Sequence, residues 1–356
     1  MIRFVGHFKS LMRQWQLAEP SNRHTLLRTL HSSQACGPQA AYQPGRGTIE
    51  QKFSLTQIIE KSLEFNTPVH LVFIDFTKAF DSIELHKLWD ILDRSPINKH
   101  YINLLKAVYD GSQAIIRTDI GTSRLVDIKK GVKQGDMLSA VLFCVALASV
   151  LFQTETSCHS GFSVGGVIIS NLGYADDIAL TNSCPMKLQE FINEFSKNAQ
   201  EIGLQINFSK TVSMSTEKAQ SPLHISINGH EIKQVTEFVY LGHKLSALND
   251  QTIAVKHRVG LAWATFGKHA SILKSNRIPL HIKTKIYNIY ILPILLYGME
   301  CIAWTKNLLQ IVEVFQNNIM RLMTGHRLIE RVSIAMLRDL TCLGPLICKI
   351  KSKSLK

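Results

Sequence analysis

Sustained hydrophobic periodicity begins at Thr48. Thr48-Ile49-Glu50-Gln51 has the form of a capping box, and Ile49, Phe53, Ile58, Ile59 and Leu63 follow at mostly helical spacing, predicting a helix over about 48–64. Asn66-Thr67-Pro68 breaks it, and the β-branched and aromatic run 69–76 (VHLVFIDF) predicts a buried strand. Ile97, Tyr101, Leu104, Leu105 and Val108 mark an amphipathic helix closed by Asp110-Gly111, followed by a strand-rich section over about 113–129. The apolar run after Asp136 is long enough for a helix and too long for one strand. Val167-Ile168-Ile169 and Ile178-Ala179-Leu180 flank SNLGYADD as strand, tight connection, strand. Leu188, Phe191, Ile192, Phe195, Ala199 and Ile202 predict a helix that stops at Gly203, and short strands are expected near 204–207, 223–227 and 238–241. From about 251 to 340 the pattern is mostly helical. The chain is therefore mixed α and β, then all α.

Two apolar stretches need weighing as membrane spans. Residues 137–154 hold no charge over eighteen positions, whereas 286–299 is shorter and broken by Pro293, which reads as a buried helix or helix pair. Met1–Ser10 lacks the apolar core and small-residue cleavage site of a secretory signal. The 356 residues carry a formal charge of +13, which makes polyanions the natural partners. The seven cysteines show no CxxC pair and no zinc-module spacing. A reduced intracellular protein, in cytoplasm and/or nucleus, is the expectation.

Asp75 ends the strand 69–76, and Asp176-Asp177 sit together between two short strands. Such charges are costly without a partner or cation. Without a histidine cluster, carboxylates of this kind suit hard divalent ions such as Mg²⁺ rather than zinc. Surface acids at a turn and a strand end are the alternative reading.

Neighbouring segments decide between them. Phe73-Ile74-Asp75-Phe76-Thr77-Lys78-Ala79-Phe80-Asp81 resembles motif A of the reverse transcriptases of non-long-terminal-repeat retrotransposons. Gly131-Val132-Lys133-Gln134-Gly135-Asp136-Met137-Leu138-Ser139 is similar to motif B, Tyr174-Ala175-Asp176-Asp177 to motif C, and the segment from Gly203 to Thr211 to motif D. Tyr240-Leu241-Gly242 resembles the primer-grip hairpin of motif E. All five stand in family order.

This resemblance implies an α+β right-hand polymerase, with fingers and an antiparallel-sheet palm followed by a mostly helical thumb-like region. The expected division is a poorly assigned segment 1–38, fingers and palm over 39–245, a helical thumb and C-terminal region over 246–345 and a basic tail over 346–356. The apolar run from 137 becomes the helix after motif B, buried in protein rather than in a membrane. By resemblance, Asp75 and Asp176 would bind two Mg²⁺ ions, with Mn²⁺ as a substitute, while Asp177 would tune the site or bind metal weakly. Phe76 would lend its carbonyl, Phe80 would be a steric gate, and Gln134 and Gly135 would approach the incoming nucleotide. Lys210 would face the leaving pyrophosphate. Arg46 would bind substrate, and Tyr240, Leu241 and Gly242 would grip the primer.

The implied function is RNA-directed DNA polymerisation by two-metal nucleotidyl transfer. Its partners would be an RNA template, a DNA primer, the RNA–DNA hybrid and deoxynucleoside triphosphates, with no membrane. Three positions depart from the family pattern: Ala41 and Gln43 replace a glycine and an arginine in the fingers segment, and Ala140 replaces the proline after Ser139. Glutamine hydrogen-bonds phosphate without neutralising it. With a front segment that matches neither extended fingers nor an endonuclease, the sequence also suggests a truncated copy lacking the endonuclease domain. The alternative function is a catalytically inactive nucleic-acid-binding remnant.

Overall fold

A computed structural model describes residues 2–4, 39–43, 45–133, 135–217 and 223–354 of the chain. The described residues divide into two compact units, the first within 1–51 and 66–235 and the second within 52–65 and 236–356.

A five-stranded sheet organises the first unit. Its strands are β1 (His70–Ile74), β2 (Asn171–Tyr174), β3 (Asp177–Asn182), β4 (Val212–Ser215) and β5 (Lys233–Gln234), in the spatial order β5-β4-β1-β3-β2. All pairings are antiparallel except the edge pair of β4 with β5. At the centre, Val72 lies opposite Leu180 on one side and Ser213 on the other. All five β1 residues are buried, which explains a near-continuous apolar run in place of alternation.

Two helices complete this core. α1 (Met137–Cys158) starts where the Asp136 carboxylate accepts from the Leu138 amide at 3.2 Å, and α2 (Pro185–Glu201) carries Pro185 in its first turn. The side-chain amide of Asn198 on α2 donates to the Thr154 hydroxyl on α1 at 3.0 Å, joining two buried polar groups. α1 has a mean hydropathy of 1.8 across its most apolar window, and 78% of that window is buried inside the protein. Length and composition alone would let it cross a bilayer; Val141, Leu142, Phe143, Val145 and Leu147 instead fill the palm core. At the far end of α2, Gly203 has φ +87°, and a Cβ there would meet the Ser82 carbonyl oxygen at 2.4 Å. Only glycine fits both demands.

Some expected elements differ. The 204–207 segment forms a single bridge, Phe76 to Ile206, instead of a strand. The 113–129 section resolves into short strands at Gln113–Thr118, Gly121–Thr122 and Val126–Asp127, with Ile2–Phe4 pairing to the first. A helix at Leu85–Asp93 also forms, burying Leu88 and Leu92.

The second unit contains the hairpin β6 (Glu237–Tyr240) and β7 (His243–Ser246), followed by helices. Its core includes Val255, Ala262, Phe266, Tyr287, Leu295, Phe315 and Ile319. The Trp263 and Phe315 rings meet edge to face at 5.1 Å. Before Pro293 the helix widens into a π-turn over Tyr287–Ile291, accommodating a residue that has no amide hydrogen to donate.

Candidate functional site

The carboxylate cluster grows from the ends of the central strands. Asp75 follows the last residue of β1; its amide donates to the Thr211 hydroxyl at 3.2 Å and its carbonyl accepts from the Asn207 amide at 2.8 Å. Motif D is thereby laced to motif A by one backbone bond and one bond to a side-chain hydroxyl. Lys210 lies on this segment, and its ammonium stands 3.6 Å from Asp75 Oδ2 with most of the side chain in solvent. Asp176 lies in the two-residue connection between β2 and β3, and Asp177 opens β3, paired with Tyr174 across that connection.

That connection is strained, since Ala175 has φ +53° although it carries a Cβ. Gln39 is fully buried and holds it from both sides: Gln39 Nε2 donates to the Ala175 carbonyl at 2.8 Å and Gln39 Oε1 accepts from the Ala175 amide at 2.9 Å. A Cβ on Gly173 would meet Gln39 Nε2 at 2.9 Å, so the clamp also needs a glycine beside it. The separation of 136 residues between Gln39 and Ala175 hides the clamp from any local pattern.

Burial first, and then the charges of Asp176 and Asp75, push the Asp177 carboxyl up to about 6. The residue's surface is nevertheless exposed, so solvent screens the repulsion and keeps its energetic weight small. Charges sense one another over distances at which their oxygens cannot share an ion. A magnesium site needs oxygens converging at about 2.1 Å on one point. Among the described residues, no group of three or more His, Cys, Asp or Glu side chains is placed to hold a metal ion. This overturns the expected two Mg²⁺ ions, or Mn²⁺ in their place, on Asp75, Asp176 and Asp177. It likewise overturns the expected RNA-directed DNA polymerisation by two-metal nucleotidyl transfer. The charge facing Asp75 is supplied from within the chain, by Lys210.

The other expected residues are distributed as follows. Phe76 is buried, its ring 6.2 Å from that of Phe195 on α2. Phe80 is half-buried and stacks on Phe143 of α1 at 4.5 Å. Gly135 is exposed at φ +92° with open space where a Cβ would stand, and Gln134 lies outside the described residues. Motif B has a structural role too: Lys133 donates to the Val108 carbonyl at 3.2 Å, and the Ser139 and Tyr109 hydroxyls are 2.8 Å apart. Arg46 is exposed. Ala41 is buried, and the Gln43 side chain donates to the Gln39 carbonyl, so neither departure leaves a gap in the packing.

Tyr240, Leu241 and Gly242 belong to the second unit. Leu241 and Gly242 form a two-residue turn with φ +45° and +74°, the left-handed pair that suits a tight hairpin. The Tyr297 hydroxyl donates to the Leu241 carbonyl at 3.0 Å, and the Arg258 guanidinium donates to the Gly242 carbonyl. His243, next to the turn, is buried, and burial followed by the charges of Lys52, Arg258 and His257 lowers its imidazole to about 4.

The reverse transcriptase (RNA-dependent DNA polymerase) family profile matches residues 21–245. An RNA-directed DNA polymerase from the mobile element jockey of Drosophila funebris is 25% identical over 300 residues, covering 81% of this chain and 32% of the relative. A Pol polyprotein from the type-1 retrotransposable element R2 of Nasonia vitripennis is 27% identical over 207 residues, covering 58% of this chain and 20% of the relative. The chain spans about a third or less of these relatives. In fold it is similar to telomerase from Candida albicans, solved in complex with the TWJ fragment of telomeric RNA. The TM-score is 0.52 at 11% identity, over 90% of this chain and 58% of that one. Five motifs in order on a mixed α+β palm, together with these matches, place the chain in the reverse transcriptase family, in its non-long-terminal-repeat retrotransposon branch.

Proposed function

We propose that this chain is a catalytically inactive, nucleic-acid-binding form of the retrotransposon polymerase fold. The observation that carries this reading is the set of palm acids: they stand at the family's positions without forming a group able to hold a metal, while the fold around them is intact. What persists is the capacity to hold a strand. The formal charge of +13 favours phosphate contact, and the helical region contributes the exposed Lys256 and Lys268. In the hairpin turn, the Leu241 and Gly242 amides donate to no acceptor among the described residues, leaving two donors of the kind phosphate oxygens accept. A primer annealed to RNA or DNA is the ligand proposed, held through shape and backbone.

The test pairs two assays on the purified chain. Fluorescence anisotropy with a labelled primer–template across a salt series should show affinity falling steeply as salt rises. Primer extension with deoxynucleoside triphosphates and either Mg²⁺ or Mn²⁺ should yield no product. Templated extension, or binding insensitive to salt, would overturn the reading.

A further inference from the structure

The residues under the Leu241–Gly242 turn form an arrangement that motif reading does not assign. Tyr297 takes the Leu241 carbonyl with its hydroxyl and receives two cations on its ring: Lys52 Nζ 3.9 Å from the centroid and the Arg258 guanidinium carbon 4.5 Å from it. Lys52 is fully buried and Arg258 nearly so. Neither Lys52 Nζ nor Arg258 Nε has a hydrogen-bond acceptor among the described residues; the aromatic face offsets part of their desolvated charge, and the Glu300 carboxylate also acts on Arg258. Arg258 completes the arrangement by donating to the next carbonyl, that of Gly242. Beside Tyr297, Gly298 is held at φ +74°, and a Cβ there would lie 3.3 Å from His243 Nδ1 and 3.5 Å from Lys52 Nζ.

A left-handed pair that includes leucine is costly for an unsupported turn, and both of its carbonyls are engaged by one tyrosine–arginine stack. We propose that Tyr297 is a positioning residue for nucleic-acid binding: with Arg258 and Lys52 on its ring, it fixes the Leu241–Gly242 turn in the geometry that meets the strand. This rests on the nucleic-acid-binding reading above, and extends it to residues that touch no ligand. Tyr297 acts through the turn, and Arg258 serves as a donor to Gly242 rather than as a phosphate contact.

The test uses the full chain and two substitutions. Tyr297→Phe removes the hydroxyl and keeps the ring with its cations; Arg258→Gln removes the charge and keeps a donor able to reach a carbonyl. Affinity for an annealed RNA–DNA primer–template is measured over a salt series, with thermal melting and amide hydrogen exchange of the Glu237–Ser246 hairpin alongside. Tyr297→Phe should bind about fivefold more weakly, the loss expected for one hydrogen bond, with a fall in melting of no more than a few degrees and faster exchange at the His243 amide. Arg258→Gln should leave the salt slope unchanged. A slope shallower by about one counterion would make Arg258 a direct phosphate ligand and overturn the positioning role. Native affinity in Tyr297→Phe, when the unmodified chain binds, would overturn the proposal while sparing the nucleic-acid-binding reading. If the unmodified chain binds no primer–template, that reading fails, and the proposal built on it falls as well.

Discussion

Each unit holds a two-residue hairpin turn in which a residue with a side chain adopts the left-handed conformation. Ala175 sits at φ +53° in the first unit and Leu241 at φ +45° in the second. A non-glycine residue there costs about 1–2 kcal/mol, and in both cases a distant side chain meets that cost through the turn's own backbone. The means differ with the local charge. Gln39, a neutral amide, grips both sides of Ala175 beside three carboxylates, whereas Tyr297 and Arg258 grip consecutive carbonyls amid a surplus of cations. A neutral clamp adds no charge to a crowded acidic turn. The cationic one concentrates positive charge behind the Leu241–Gly242 turn.

The sharpest way to break the first clamp is Gln39→Leu. It removes two buried hydrogen bonds and leaves the Ala175 amide and carbonyl without partners, so stability should fall by about 3 kcal/mol in urea denaturation. Adding Ala175→Gly should recover about 1 kcal/mol, because glycine reaches the same φ without the Cβ clash. A Gln39→Leu chain as stable as the native one would show that the turn needs no clamp.

The second turn is open to attack by acid. Folding lowers His243 from an ordinary histidine value to about 4, so the unfolded chain binds the proton more readily. Stability is therefore unaffected above pH 6.5 and declines as the pH falls toward 4. At pH 4.5 the loss should be about 2 kcal/mol, seen as the difference in acid sensitivity between the native chain and His243→Asn. Parallel pH profiles for the two proteins would rule this out.

The smallest effect is expected at Asp177, whose folded carboxyl is raised to about 6. The cost is fully present above that pH and vanishes below the ordinary carboxylate value near 3.8. Asp177→Asn should thus stabilise the chain at pH 7 by less than about 1 kcal/mol, given solvent screening, with no gain at pH 3.5. Calorimetric melting at the two pH values separates these outcomes.

What could be read in advance follows the length scale of each interaction. The 137–158 helix, β1 and α2 announce themselves because many apolar residues repeat locally. The 85–93 helix also carries a readable signal, with Leu85, Leu88, Trp89 and Leu92 at helical spacing. Strand β4 is VSMS, and its buried Ser213 gives no apolar alternation to detect. The acids of motifs A and C were legible as residue types in order. Their failure to form a metal-holding group was not, because motif order fixes which strand carries a carboxylate and not where its oxygens converge. Gln39 and Tyr297 act across separations of 136 and 56 residues, which no sequence period encodes.

The buried helix 137–158 has a consequence for how the chain is made. Much of its apolar surface packs against α2 at 185–201, which leaves the ribosome later. For the interval between, a twenty-one-residue segment fit by length and composition for a bilayer lacks its α2 partner on the nascent chain. The time residues 159–201 take to emerge from the ribosome thus sets how long that segment is exposed to chaperones, to targeting factors and to other copies of itself.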